Sequence, residues 1–210
     1  IKSLKNRKYS YRLVFLPETI GSISYINKNL KKLKKNVICG FNLNCLGDNR
    51  TFSYLPSKFE DTFSDHVIIN LLNKKKIRYK KYTWLNRGSD ERQYCSPGVN
   101  LPIASLMRSK FHEYPEYHTS KDTLERVVTN KGLSSSFLIY KDLIKYVENN
   151  YFLKSKFKCE AFLSKRSIYP STVEKFKRYN YLEDILNVLS YSDGKTSIYK
   201  ILNKCNLQKK

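Results

Sequence analysis

The sequence predicts an α/β fold with a mostly parallel sheet over residues 1–150, followed by a small helical module over residues 155–210. Three observations carry that reading. Short apolar, aromatic and β-branched runs at 9–16, 37–46, 77–84 and 101–107 alternate with helix-period segments at 22–33, 61–72 and 133–148, which is the pattern of strands joined by crossover helices. The run LPIASLM at 101–107 is mostly apolar, as a strand covered on both faces is. Polar segments dense in His and carboxylate flank these runs, where α/β proteins place their sites.

In chain order, residues 9–16 (YSYRLVFL) read as a strand that Pro17 stops. Glu18 then falls at that strand's C-terminal end, ahead of the helix at 22–33. Residues 37–46 (VICGFNLNCL) form a second strand, with Asn44 near its end and Gly47-Asp48 turning away. The three elements make a βαβ unit of right-handed crossover. Residues 49–59, with Pro56, read as a loop or short extended piece. Phe63, Val67, Ile68, Leu71 and Leu72 fall at helical spacing, and 77–84 alternates as a strand. Pro97-Gly98 marks a turn before the run at 101–107. A short turn at 124–127 precedes the helix at 133–148. Beyond residue 150 come a strand-like piece at 166–169, a turn at Pro170, and two short helices at 181–189 and 197–203 joined by the turn SDGKT at 192–196. Such a piece has little core of its own; it fits a winged-helix-like unit that serves packing or protein contact.

Composition removes several classes of function. The formal charge of +22 comes mainly from lysines dispersed in runs such as 31–35, 74–76 and 154–158, which read as a solvated face. With no recognition helix and no RNA-binding signature, nucleic acid is not the expected partner. No apolar run is long enough to span a membrane. The opening IKSLKNRKYS is not a signal segment, and a start at Ile reads as an excerpt of a longer protein. The five cysteines are scattered without a CxxC pair, so neither a disulfide scaffold nor a zinc finger is expected and the compartment reads as cytoplasmic. Self-association into a homo-oligomer is left open.

Chemistry concentrates in residues 87–123. His118 lies in YHTSKDT, where Thr119 and Asp122 are placed to orient an imidazole, as carboxylates do for metal-bound histidines. His112 and His66 read as surface or structural residues. Glu18 has two even readings: a carboxylate favoured by a helix N-terminus, or a general base at the sheet's ligand edge. Asp48 and Asp90 are placed for metal or substrate. Arg87 and Arg92 are suited to hold a substrate carboxylate bidentately.

The ordered series FLPETIGS, NLNCLGD, RGSDERQYCSPGVNLPIASLM and YPEYHTSKDT resembles the C-terminal half of bacterial aminopeptidase-like proteins in the zinc exopeptidase superfamily, which includes leucyl aminopeptidases. The resemblance implies a three-layer zinc-exopeptidase-like fold for residues 1–150, present in part, and the winged-helix-like module for residues 155–210. It also implies one or two zinc ions and hydrolysis of N-terminal peptide bonds or related amides. Tyr117, His118, Thr119 and Asp122 match the family's closing Tyr-His-Thr-x-x-Asp, so His118 inherits zinc ligation, with Asp122 behind it. Glu18 takes the place of the base that deprotonates a metal-bound water. Two positions depart from the family: Thr19 and Asn44 stand where ligating carboxylates are the pattern, and neither brings charge to offset a divalent ion. A single zinc, Asp48 or another nearby carboxylate as replacement ligand, and a role other than peptidase all remain open. The family's first His and bridging Asp lie upstream of Glu18, and nothing before Tyr9 supplies them. The expectation is part of a zinc-dependent aminopeptidase-like hydrolase acting on a peptide or related amide. The alternative is a non-catalytic binding or assembly protein with a degraded metal site, in the setting of surface-polysaccharide biosynthesis that the resemblance carries.

Overall fold

A computed structural model describes residues 6–166, 168 and 175–207. The chain divides into two compact units, Ile1–Glu148 and Asn149–Lys210.

The first unit holds a four-stranded sheet of β1 (Gly40–Asn42), β2 (Phe52–Leu55), β3 (Tyr79–Lys81) and β4 (Ile103–Met107), in the order β1-β4-β2-β3. β1 runs parallel to β4 and β2 parallel to β3, while β2 and β4 pair antiparallel. The sheet is mixed and mostly parallel, as the sequence predicts. All five residues of β4 are buried, as a strand inside a sheet with helices on both faces must be. Around Ile103 gather Ile26 and Leu33 of α1 (Ile20–Asn36), Tyr94 of α3 (Glu91–Tyr94), Cys95 and Leu101. The helices α2 (Phe63–Lys74) and α4 (Asn130–Glu148) contact each other and bury Val67, Ile68, Leu71, Leu72, Ile139, Leu143 and Val147.

The start of α2 is fixed by Asp65, which is fully buried yet amply satisfied. Its carboxylate accepts from Tyr54 Oη at 2.7 Å, Ser57 N at 2.9 Å and Thr62 N at 2.8 Å. The Thr62–Asp65 pair forms a capping box, so one carboxylate caps the helix and ties it to the end of β2.

Several expectations change here. Residues 9–16 run outside the sheet, so Glu18 does not end a strand. A strand needs a neighbour to take up its backbone groups, and no described strand pairs with this segment. β1 is three residues long rather than the ten expected, because the chain after Asn42 turns away to be held by α4. Of the two readings of 49–59, loop or short extended piece, the second holds: the segment contains β2.

In the second unit, β5 (Phe152–Lys154) pairs antiparallel with β6 (Asp193–Ser197), and α5 (Lys175–Ser190) and α6 (Ile198–Lys204) complete it. The supposed turn at 192–196 is therefore mostly strand. Asp193 nevertheless behaves as a turn former, its Oδ1 accepting from the amides of Lys195 and Thr196, each at 2.7 Å. Ala161, Leu163 and Leu182 make a small core with Ile185, Leu186 and Leu189. Of the strand-like piece at 166–169, Arg166 ends a short 3-10 turn and residues 167 and 169 lie outside the described residues.

Candidate functional site

Glu18 sits in the turn between Pro17 and α1, its side chain exposed. The loop before α3 grips this turn from the other side. Ser89 Oγ donates to Glu18 Oε1 at 2.6 Å, Thr19 N donates to Asp90 Oδ1 at 2.8 Å, and Arg92 Nη2 donates to Thr19 Oγ1 at 3.0 Å. Thr19 itself has a φ of 63°. Behind the loop lies Glu91, wholly buried. Its carboxylate accepts from Gly88 N at 2.8 Å, Ser89 N at 3.0 Å and Asn42 Nδ2 at 2.8 Å, and a buried charge needs such donors. Glu91 therefore ties the end of β1 to the loop that holds Glu18. Gly88 is required there, because a β-carbon at that position would meet the Phe111 ring.

Cys45 is a part-buried thiol that feels the charge of three carboxylates. Burial pushes its thiol up; a hydrogen bond with Tyr114 works against this, while the charges of Asp122, Asp48 and Glu18 add to it. Tyr117 is shifted upward too, by burial first and then by Cys45, Glu18 and Asp122. His118 stacks on Tyr117, ring centroids 4.0 Å apart at an angle of 13°. Tyr117 thus contacts His118 and feels the charge of Glu18. His112 completes an aromatic group, 4.7 Å from Tyr117 and 5.8 Å from Phe111 between centroids.

The other expected residues have definite places. Asp48 is 4% exposed and its oxygens accept from Arg50 N at 2.8 Å, Ser109 N at 2.7 Å and Ser109 Oγ at 2.9 Å. It pins the turn after β1 to the end of β4. Asp122 accepts from Tyr114 Oη at 2.9 Å, so it serves that phenol in place of His118. Arg92 belongs to the Glu18 neighbourhood, whereas Arg87 folds back on Trp84, 3.4 Å from its carbonyl and 5.3 Å from its ring centre. Asp90 is a loop fastener through Thr19 N. Ser89, Glu91, Asn42, Cys45 and Tyr114 are the members that sequence reasoning missed; Tyr117 stood in the motif with no role assigned to it.

These residues do not by themselves assemble a zinc centre. Among the described residues no group of three or more His, Cys, Asp or Glu is arranged to hold a metal ion. The Asp48 oxygens already accept three hydrogen bonds and Thr19 is bound to Arg92, while the stacking of His118 on Tyr117 engages its ring face and not its nitrogens. The amide oxygen of Asn44, one residue from Cys45, is buried without a donor. It is a neutral acceptor, suited to an N–H or O–H rather than to a cation's charge.

The class this chain is similar to is the aminopeptidase-like α/β domain. The chain belongs to the family described as Domain of unknown function (DUF4910), whose model matches residues 1–150. It is 39% identical over 203 residues to a Clostridium acetobutylicum protein provisionally named a polysaccharide biosynthesis protein with aminopeptidase-like domain, a match covering 96% of this chain and 46% of that one. A crystal structure from Clostridium acetobutylicum, provisionally described as a peptidase, matches with a TM-score of 0.72 and 36% identity over 98% of this chain and 45% of its own. An aminopeptidase from Aneurinibacillus sp. strain AM-1 gives a TM-score of 0.46 and 18% identity over 61% of this chain and 30% of its own. The chain spans just under half the length of the two Clostridium proteins.

Proposed function

We propose that this chain supplies one wall of a binding site of aminopeptidase-like architecture, which recognises a peptide or related amide without zinc-dependent hydrolysis. The observation that carries this reading is the grip of the loop before α3 on an exposed carboxylate. Glu18, its rotamer held by Ser89, and the Thr19 hydroxyl beside it present oxygens to N–H and O–H groups. No cluster of metal-ligating residues accompanies them among the described residues. Glu18 would receive an ammonium or amide donor, with Ser89 fixing its rotamer, and Arg92 would offer charge beside it. The name of the Clostridium acetobutylicum relative supports a setting in polysaccharide biosynthesis, where such a domain would bind or assemble rather than cleave.

The test is metal content and turnover measured together on the purified chain. Zinc below a tenth of an equivalent after dialysis, a Tm unmoved by added zinc, and no hydrolysis of aminoacyl anilides are the expected results. Peptide binding that Glu18→Gln weakens at least fivefold completes them. One zinc per chain that is lost on His118→Ala, together with anilide turnover that Glu18→Gln abolishes, would establish the hydrolase instead.

A further inference from the structure

Lys110 is 5% exposed, and among the described residues no carboxylate lies within ion-pair distance of it. A lysine is almost never buried without such a partner. Its Nζ donates to Phe111 O at 2.9 Å and otherwise faces aromatic rings, 4.2 Å from the Phe111 centroid and 5.2 Å from that of Tyr82. Both rings belong to the apolar cluster around Leu55 and Met107. Two hydroxyls border the same space. Tyr82 Oη and Ser53 Oγ are buried, and neither has an aligned hydrogen-bond partner among the described residues. Ser53 stands opposite Met107 in the β2–β4 register, so it shares the sheet face that carries the cluster. Burial pushes the Tyr82 phenol up, Glu113 adds to this, and Ser53 works against it. Burial also holds the Lys110 amine below its ordinary range, while Glu113, Glu91 and Cys45 pull the other way. An apolar side chain would fill this place at lower cost than an ammonium and two unused hydroxyls.

We propose that Lys110 is a nucleophilic amine that condenses with a small aldehyde, the Tyr82 hydroxyl donating to the carbonyl oxygen and Ser53 Oγ donating in turn to the phenol. Lysines desolvated among apolar groups are those that form Schiff bases. Glu113, which bears on both Lys110 and Tyr82, takes the ammonium proton. The nitrogen lone pair then bonds to the carbonyl carbon, and the carbonyl π pair moves to the oxygen, which takes the Tyr82 proton. The nitrogen returns one proton to Tyr82, leaving a neutral carbinolamine. Protonated by Glu113, the hydroxyl departs as water while the nitrogen pair closes the C=N bond. In sum, ammonium and aldehyde give iminium and water. One N–H remains on the nitrogen and keeps the bond to Phe111 O, and the positive charge stays between the rings and near Glu113 and Glu91. An aldehyde is specified because so little of Lys110 is exposed that the second substituent of a ketone has no room. Lys110, Tyr82 and Ser53 make no bond to Glu18, so this chemistry is independent of the binding site proposed above.

The experiment treats the chain with glycolaldehyde and sodium cyanoborohydride at neutral pH, which reduces each iminium to a stable amine, and times the modified lysines by peptide mass spectrometry. Lys110 is expected to react at least tenfold faster than Lys31 and Lys35, which are exposed on α1. Tyr82→Phe is expected to remove that lead while the rates at Lys31 and Lys35 stay unchanged and circular dichroism shows the variant folded. If Tyr82→Phe does not fold, Ser53→Ala is read in the same way. A Lys110 that reacts no faster than the exposed lysines, as an ammonium merely caged by rings would, overturns the proposal. So does a Lys110 rate that rises in step with unfolding in mild urea, or one that the folded variant leaves as it was.

Discussion

Glu91 shows how a single side chain organises this site while touching nothing outside the protein. Three donors depend on its carboxylate, from Asn42, Gly88 and Ser89. Replacing it with Ala leaves them buried and unpaired, and Glu91→Ala is expected to cost about 2–4 kcal/mol, read as a lower urea midpoint at an unchanged m-value. The cysteines separate by environment. Cys95 is fully buried, its thiol donating to Leu101 O and Ile103 O and pushed up by burial, whereas Cys159 is exposed. Ellman's reagent at pH 8 should therefore modify Cys159 within minutes and Cys95 only as fast as the protein unfolds; peptide mass spectrometry distinguishes the two. Little of this was legible in the sequence. Glu91 lies 49 residues from Asn42, and nothing local announces that a carboxylate in a polar stretch will be buried. Cys45 looked like one of several scattered thiols, because its burial and the acidic charge it feels are products of the fold. His118 and Glu18 were found through motif resemblance, and the stacking of Tyr117 on His118 only through coordinates.

At the level of elements, α4 is held by a contact that reverses a usual preference. Alanine is favoured over glycine in a helix by about 1 kcal/mol, but a β-carbon at Gly132 would run into the carbonyls of Gly47 and Asp48. Gly132→Ala is accordingly expected to destabilise by about 1–3 kcal/mol; an increase in stability would show that the helix can move aside. Lys75 joins α2 to α4 by donating to Asp142 at 2.6 Å, and with Lys145 it holds that carboxyl below the usual range. A depressed folded-state pKa stabilises above the unfolded value and stops doing so as pH falls through the folded one. Asp142→Asn should then cost roughly 0.5–1 kcal/mol at neutral pH, with the difference closing below about pH 3; paired denaturation curves at the two pH values check this. The helices and β4 were readable because their periodicity or uniform apolarity survives any context. β6 was not, since Asp-Gly-Lys-Thr-Ser is turn chemistry that the partner Phe152–Lys154 overrides. Residues 9–16 failed in the opposite sense, having strand chemistry and no partner strand.

For the molecule as a whole, charge is the dominant long-range term. With 40 basic and 18 acidic side chains, self-repulsion weakens the folded state at low ionic strength. Raising sodium chloride from about 10 mM to about 300 mM shortens the screening length from roughly 30 Å to under 8 Å and should raise the Tm by several degrees in a thermal scan. A flat response would mean that the lysines are already compensated locally. The division into Ile1–Glu148 and Asn149–Lys210 places the candidate site wholly in the first unit, so the zinc, anilide and peptide measurements report on that unit.

Because of Thr19, the direction in which Glu18 points is dictated by the loop opposite rather than by the turn itself. Thr19 is the centre of a tight turn closed by Ile20 N donating to Glu18 O at 2.8 Å, with φ 63° and ψ −73°, a rare and strained conformation. It sits uphill by roughly 1–3 kcal/mol, and the bonds to Asp90 and from Arg92 must outweigh that before they contribute anything. Whatever shifts residues 88–92 removes at once the bonds that hold Thr19 in that turn and the Ser89 bond that aims the Glu18 carboxylate.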